Sequence, residues 1–305
     1  MILFTPPPPV LPDVLPQVIH IEPDPNSHFP RLLAGGQPLQ AVLPGTVPVI
    51  AGAGRPWDPS KISPYAWLDT TLSPISKDGS NQVSVWSDIA GSSRHATQST
   101  TARKPIHVAA NDWITLSATT RFLTTPSYLA TGNTPFTVGI VGRISAMPTG
   151  DVSCVTFYRQ GSGASGQQVY FKVGNSGGPY DKFSFAHYGH DVAGSLTPAI
   201  NTDYVLIFEY TGTQKNLWVN GTLDVSVAYS AQNLPAVPTF VSIGPDPANP
   251  NNLGQSGIVR TMVFAQSVLT TAHRLKLEGY LAWKWGIQTS LTALHPYRTA
   301  PPTGL

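Results

Sequence analysis

The stretch "FSFAHYGHD", residues 183 to 191, gathers side chains that can stack on a sugar ring or bond its hydroxyls: His187, Tyr188, His190 and Asp191. Alternation along a strand sets His187 beside Phe183 and Phe185, as a core histidine, and turns Tyr188 the other way with Ser184 and Ala186. In "QVYFKV", residues 168 to 173, the same rule turns Tyr170 and Lys172 away from Val169, Phe171 and Val173. Tyr170, Lys172 and Tyr188, with His190 and Asp191 past the strand end, thus define a candidate exposed glycan-binding face. The alternative is the ordinary outer surface of a strand.

Catalytic patterns are missing. Glycoside hydrolysis needs two carboxyl groups roughly 5–10 Å apart, and the only glutamates are Glu22, Glu209 and Glu278, on three different segments. "GSGASG" has no serine with glycine two residues away on each side, so it is not a nucleophile elbow. There is no HExxH, CxxC or P-loop. The loop "GPDPANPNN" offers Asp246, Asn249, Asn251 and Asn252 to a calcium ion, but with one carboxylate among three prolines. The expectation is no enzyme, no metal and no cofactor.

Composition narrows the class further. Charged residues are 11% of the chain, against roughly 25% in ordinary soluble domains, and the net charge is +2. That leaves no basic footprint for nucleic acid and no polybasic membrane patch. A single cysteine, Cys154 in a strand-like run, excludes an intrachain disulfide and reads as a small buried hydrophobe. The opening "MILFTPPPPV" lacks a basic region and breaks its apolar run with prolines, so no secretory signal is expected there. No run of about 18 apolar residues is present to span a bilayer.

The elements that position these residues fall in two blocks. Of the 30 prolines, half lie in the first 64 residues. Proline fixes φ and withdraws an N–H, so residues 1–60 are expected to be extended, close to polyproline II with short β pieces. Their Val, Ile, Leu and Phe content is too apolar for a solvated linker. An apolar arm of this kind is expected to lie against neighbouring subunits, and so to imply a homo-oligomer within an assembly; the alternative is that it lies against its own sandwich. From residue 61 to 305 short strands alternate with Gly, Pro, Asn and Ser clusters, the signature of a sandwich or barrel. Asn220-Gly221 marks a two-residue hairpin, and "YVLIFE" is apolar on both sides, as a strand in the middle of the stack must be. One helix closes the chain over about 271–285. Thr270 or Thr271 caps it, Gly286 ends it, and Leu277, Leu281 and Trp285 share one side. Such a helix is expected to cover an edge or end of the sandwich, its tryptophans packing rather than binding.

Several of these stretches carry a family resemblance. "WLDTTLSPISKDGSNQVSVWSDIAGSSRHATQ", "LWVNGTLDVSV", "LEGYLAWKWG" and "HPYRTAPP" resemble LamG-like, concanavalin A-like jelly-roll proteins, of the kind found in bacteriophage structural and tail genes. The resemblance covers residues 64 to 302 and leaves the arm outside. It implies an all-β jelly-roll sandwich of two curved antiparallel sheets, commonly a glycan-binding or adhesion module. Some relatives hydrolyse glycosides, but the E-x-D-x-x-E strand of those members has no match here. The expectation is a non-enzymatic virion structural protein on the particle surface. Residues 1–60 would dock it to capsid or tail subunits, and its sandwich would serve as decoration or adhesion domain. The alternative is a receptor-binding protein for host-surface carbohydrate, and a glycosidase is the third reading.

Overall fold

A computed structural model describes residues 56–116, 121–126, 128–129, 131–149, 155–162, 164–174, 178–245 and 257–304, and the backbone alone of 20–22, 31–34 and 37–40. In the arm, β1 (His20–Glu22), β2 (Arg31–Ala34) and β3 (Gln37–Gln40) pair antiparallel in that order, with Pro38 on the outermost strand. Proline is tolerated at an edge, and among the described residues no further strand pairs with β3. The rest of residues 1–55, and with it the docking expectation, lies outside the described residues. So do Cys154 and the loop from Asp246 to Asn252.

The strands that follow are β4 (Ala66–Asp69), β5 (Ile75–Lys77), β6 (Val83–Trp86), β7 (Ala96–Thr97), β8 (Ile106–Val108), β9 (Trp113–Leu116) and β10 (Leu123–Thr124). Next come β11 (Phe136–Ile144), β12 (Val155–Gly161), β13 (Gln168–Val173), β14 (Phe183–His187) and β15 (Val192–Ala193). The last are β16 (Tyr204–Tyr210), β17 (Gln214–Val219), β18 (Thr222–Ala228), β19 (Phe240–Ile243) and β20 (Gly257–Ala265). They build two antiparallel sheets. One has 9 strands in the order β15-β14-β13-β12-β19-β10-β7-β6-β5. The other has 8, β18-β17-β16-β11-β20-β9-β8, 8-stranded once β4 joins beside β20. The fold is an all-β jelly-roll sandwich with one C-terminal helix.

The sheets meet through alternate side chains. Val169, Phe171 and Val173 of β13 face Phe136 and Phe208 across a fully buried core. The rings of Phe171 and Phe208 stack at 4.4 Å, and Phe185 meets Phe171 edge-on at 5.5 Å. As its sequence predicts, β16 is apolar on both sides. Leu206 and Phe208 enter this core, while Val205 and Ile207 enter a second one. Asn220 and Gly221 turn the β17–β18 hairpin with φ of 50° and 79°, the left-handed pair that a two-residue turn of this hand requires.

The second core lies under α1 (Thr271–Lys284). Thr270 caps the helix by accepting from the His273 N–H at 3.2 Å, and Gly286 leaves it with φ 68°. The expectation that the helix covers an edge or end is corrected: it lies on the outer face of the eight-stranded sheet. The side presenting Leu277 and Leu281 packs on Val141, Val205, Ile207 and Val263, all pointing away from the sandwich interior. An apolar stripe on a helix needs an apolar surface, and the alternate positions of β11, β16 and β20 supply one.

The tail after the helix wraps its far side. Trp283 donates its indole N–H to the Tyr297 carbonyl at 2.7 Å. Gly279 faces that tail so closely that a Cβ there would stand 2.5 Å from the Tyr297 Cβ. Gly279→Ala should therefore destabilise the protein by about 1–3 kcal/mol through overpacking, although alanine is the better helix former. Urea unfolding checks this, and a gain in stability would show that the tail does not seat against the helix.

The candidate binding face

The nine-stranded sheet carries one continuous row of outward residues. Pairing links Val85 to Thr97, Thr97 to Thr124, Thr124 to Ser242, Ser242 to Arg159, Arg159 to Tyr170 and Tyr170 to Ala186. The row is open at one end and closed at the other. Thr97 and Thr124 are exposed and Val85 is half-buried, whereas Ser242, Arg159, Tyr170 and Ala186 are all buried.

At the open end lies a cleft of ≈ 470 Å³. A β-bulge opposite Ser76 and Lys77 turns both Ser84 and Val85 outward, leaving Val83 and Trp86 in the core. Ser84, Thr97, Ser99 and Thr124 bring hydroxyls to the cleft, with Val85 and the Phe122 ring as its apolar part. Gln98, buried beneath, braces the wall. It donates to the Phe122 carbonyl at 3.1 Å and accepts from the Thr100 N–H at 3.0 Å. Thr124 donates its hydroxyl to the Thr97 carbonyl at 2.9 Å, so its oxygen still has lone pairs to accept with. Arg103 stands at the rim. Such a surface offers many weak donors and acceptors around a small apolar patch, the chemistry that a polyhydroxylated ligand needs.

At the closed end sit the residues singled out from the sequence. Alternation assigned their side correctly but not their exposure. Tyr170 is 6% exposed and Lys172 2%, so the expected open stacking face is not there. The Arg159 guanidinium lies 4.7 Å over the Tyr170 ring and donates to Gln168 at 3.0 Å, and the Tyr170 hydroxyl donates to the same Gln168 oxygen. Lys172 pairs with half-buried Asp191 at 3.1 Å. Tyr188, 53% exposed, and His190 remain at the surface, on the turn after β14. Alternation specifies which way a side chain points; what lies over that side is a matter of tertiary packing.

Inside this end of the sandwich is a cluster that no motif announced. Lys215, fully buried, donates its ammonium to the His190 carbonyl and sits 4.1 Å from the Tyr229 ring centroid. Burial brings its pKa down to about 7, with Asp191 pulling the other way. His187 is in the core as predicted, its Nε2 2.8 Å from the Gln232 side-chain oxygen. Burial, and then the charge of Lys215, lowers its pKa to about 3, so it is neutral.

The resemblance-bearing motifs build structure. Asp69 of "WLD" and Lys284 of "KWG" form a buried ion pair at 3.3 Å. Glu278 of the helix, fully buried, is held by Arg274 at 2.8 Å and by His295 of "HPY" at 3.1 Å. Asp88 accepts the Trp67 and Ala90 N–H groups at 2.9 Å each, tying the loop that follows β6 to β4. Glu209 accepts from Asn216 at 3.0 Å, and burial raises its pKa.

No protein-family model matches the sequence, and no curated protein matches it. Among solved structures, the chain is similar to a Trypanosoma rangeli sialidase in complex with sialic acid, at 12% identity and TM-score 0.49, over 74% of this chain and 33% of that one. It is similar to the binding domain of Paraclostridial Mosquitocidal Protein 1, at 13% identity and TM-score 0.48, over 72% and 52%. The receptor binding domain of botulinum neurotoxin D gives 14% identity and TM-score 0.46, over 72% and 53%. The chain thus covers about a third of the sialidase and about half of each toxin domain. All three likenesses fall below a TM-score of 0.5, so what those proteins bind carries nothing over to this chain.

Proposed function

We propose that this chain is a non-enzymatic, saccharide-binding display module of a bacteriophage particle. Its sandwich binds surface carbohydrate at the open end of the nine-stranded sheet, and residues 1–60 dock it onto neighbouring capsid or tail subunits. The observation that carries the binding reading is the hydroxyl-lined cleft beside β6, β7 and β10. The particle reading is supported by the arm's proline-rich, apolar composition and by the resemblance at both ends of the sandwich. The non-enzymatic reading is supported by Glu278, which is fully buried in an ion-pair network, and by Glu209, 5% exposed and bonded to Asn216. Neither is placed to protonate a glycosidic oxygen.

A glycan array of bacterial surface polysaccharides, followed by titration calorimetry, tests the binding half. Ser99→Trp, at an exposed position, fills the cleft and should weaken binding at least about tenfold, a loss of roughly 1.4 kcal/mol. Tyr188→Ala should leave binding in place. The opposite pattern would move the ligand to the exposed turn of Tyr188 and His190, which is the second reading. Deleting residues 1–55 should abolish incorporation into particles while the sandwich stays folded. Normal incorporation of the truncated chain would remove the docking role.

A further inference from the structure

We infer that the cleft selects acidic saccharides, with Arg103 pairing to a carboxylate or sulfate group of the ligand. This rests on the reading of the cleft as a saccharide site and adds the class of sugar. Among the described residues Arg103 is the one charged side chain lining the cleft, and no described carboxylate lines it. Its guanidinium also differs in its bonding from those of the other described arginines. Arg143, Arg260 and Arg274 bond to carboxylates, and Arg94, Arg121 and Arg298 donate to backbone carbonyls. Among the described residues the Arg103 guanidinium has no acceptor. Among the described residues its ring contact is with Phe122, whose centroid lies 5.8 Å below the guanidinium carbon.

The backbone that carries it is nonetheless fixed from beneath. Arg103 ends a 3-10 turn, Thr101–Arg103, whose backbone is fastened at both ends. The Arg103 N–H donates to the Thr100 carbonyl at 2.9 Å, and the Arg103 carbonyl accepts from the Phe122 N–H at 3.1 Å. Thr100 is in turn held by buried Gln98, the residue that braces the cleft wall. The rim beyond adds positive charge. Arg121 donates to the Lys104 carbonyl at 3.1 Å, and Lys104 itself is paired with Asp78 at 3.8 Å, so Arg121 is the added cation.

A planar guanidinium with free N–H groups, held beside exposed hydroxyls and unopposed by a carboxylate, matches an anionic group on a polyhydroxylated ring. A neutral sugar would use the hydroxyls of Thr97 and Thr124 and leave the guanidinium to water. An acidic sugar uses both, and its affinity should fall as ionic strength rises.

The test compares acidic saccharides with neutral counterparts that differ only at the acid, such as oligogalacturonate and its methyl ester, within the same array and by calorimetry on the full chain. Acidic members are expected to bind at least about tenfold more tightly at low salt. Arg103→Gln should reduce them to the level of their neutral counterparts, and Arg103→Lys should retain part of the difference. Binding of neutral and acidic members with equal affinity, blocked by Ser99→Trp, would overturn the selectivity and leave the saccharide site standing. Binding of neutral members alone would do the same. An array in which nothing binds would overturn both.

Discussion

Asp69→Ala should cost about 3–5 kcal/mol of folding stability, read as a fall in the urea midpoint with little change in slope. Asp69 is fully buried and Lys284 is 1% exposed, with the ammonium 3.3 Å from Oδ1. The same carboxylate serves other donors. Its Oδ1 accepts from the Thr71 N–H at 2.9 Å, the Thr71 hydroxyl at 2.8 Å and the Leu72 N–H at 3.0 Å, and its Oδ2 accepts from the Thr261 hydroxyl at 2.7 Å. Alanine would leave these donors unmet and a cation buried beside them. Burial already lowers the Lys284 pKa, and Asp69 is the main group opposing that shift. The double replacement Asp69→Asn with Lys284→Met should recover much of the loss, because it removes the buried charge together with its partner. A single-variant loss below about 1 kcal/mol would mean that water reaches the pair.

That pair also shows what a linear sequence can and cannot convey. "WLD" and "KWG" were recognisable as motifs, yet nothing in their spelling says that they meet. The contact exists because β4 pairs with β20 and the helix lies over the same sheet. The sandwich itself was legible: short alternating runs, an Asn-Gly turn and a strand apolar on both sides admit few other folds. The helix was legible in its caps and apolar side, but not in its seat. Choosing between an edge and a face requires knowing that Val141, Val205 and Val263 point outward together.

The binding face was half legible. Tyr170 and Lys172 do point away from the core, and the error was to equate that direction with exposure. The open end was missed for a different reason. β7 and β10 are 2 residues each, too short for any alternation to register, and the outward turn of Ser84 depends on a bulge. Its only trace in the sequence was the run of hydroxyl residues in "ATQSTTAR", which reads equally well as a loop. Lys215 had a clearer signal. It shares parity with Leu217 and Val219, so alternation alone sends it inward, where a lysine is rare.

That lysine should shape the pH dependence of the whole molecule. In the unfolded chain its pKa is the ordinary 10.5, and in the fold it is about 7. Between those values the unfolded state holds more protons, so stability must rise with pH across the window, by up to on the order of 5 kcal/mol. His187 works the same way lower down: ordinary at 6.5 and about 3 when folded, it makes stability fall as pH drops between them. The buried tyrosines set the upper limit. Burial raises Tyr229 to about 12 and pushes Tyr158 and Tyr280 well up, so the fold keeps protons that the unfolded chain releases above about 10. There the sign reverses and stability falls. The maximum is therefore expected near pH 9–10, above the usual range of about 5–8. Urea unfolding from pH 4 to 11 would display the curve, and Lys215→Met separates its cause. Methionine keeps the stem against Tyr229 and Phe185 and removes the charge that faces Asp191, His187 and His190. The variant should be more stable than the natural chain at pH 6–7 and should lose the rise between 7 and 10. An unchanged rise would assign it to other groups, Lys284 first, since burial lowers that lysine as well.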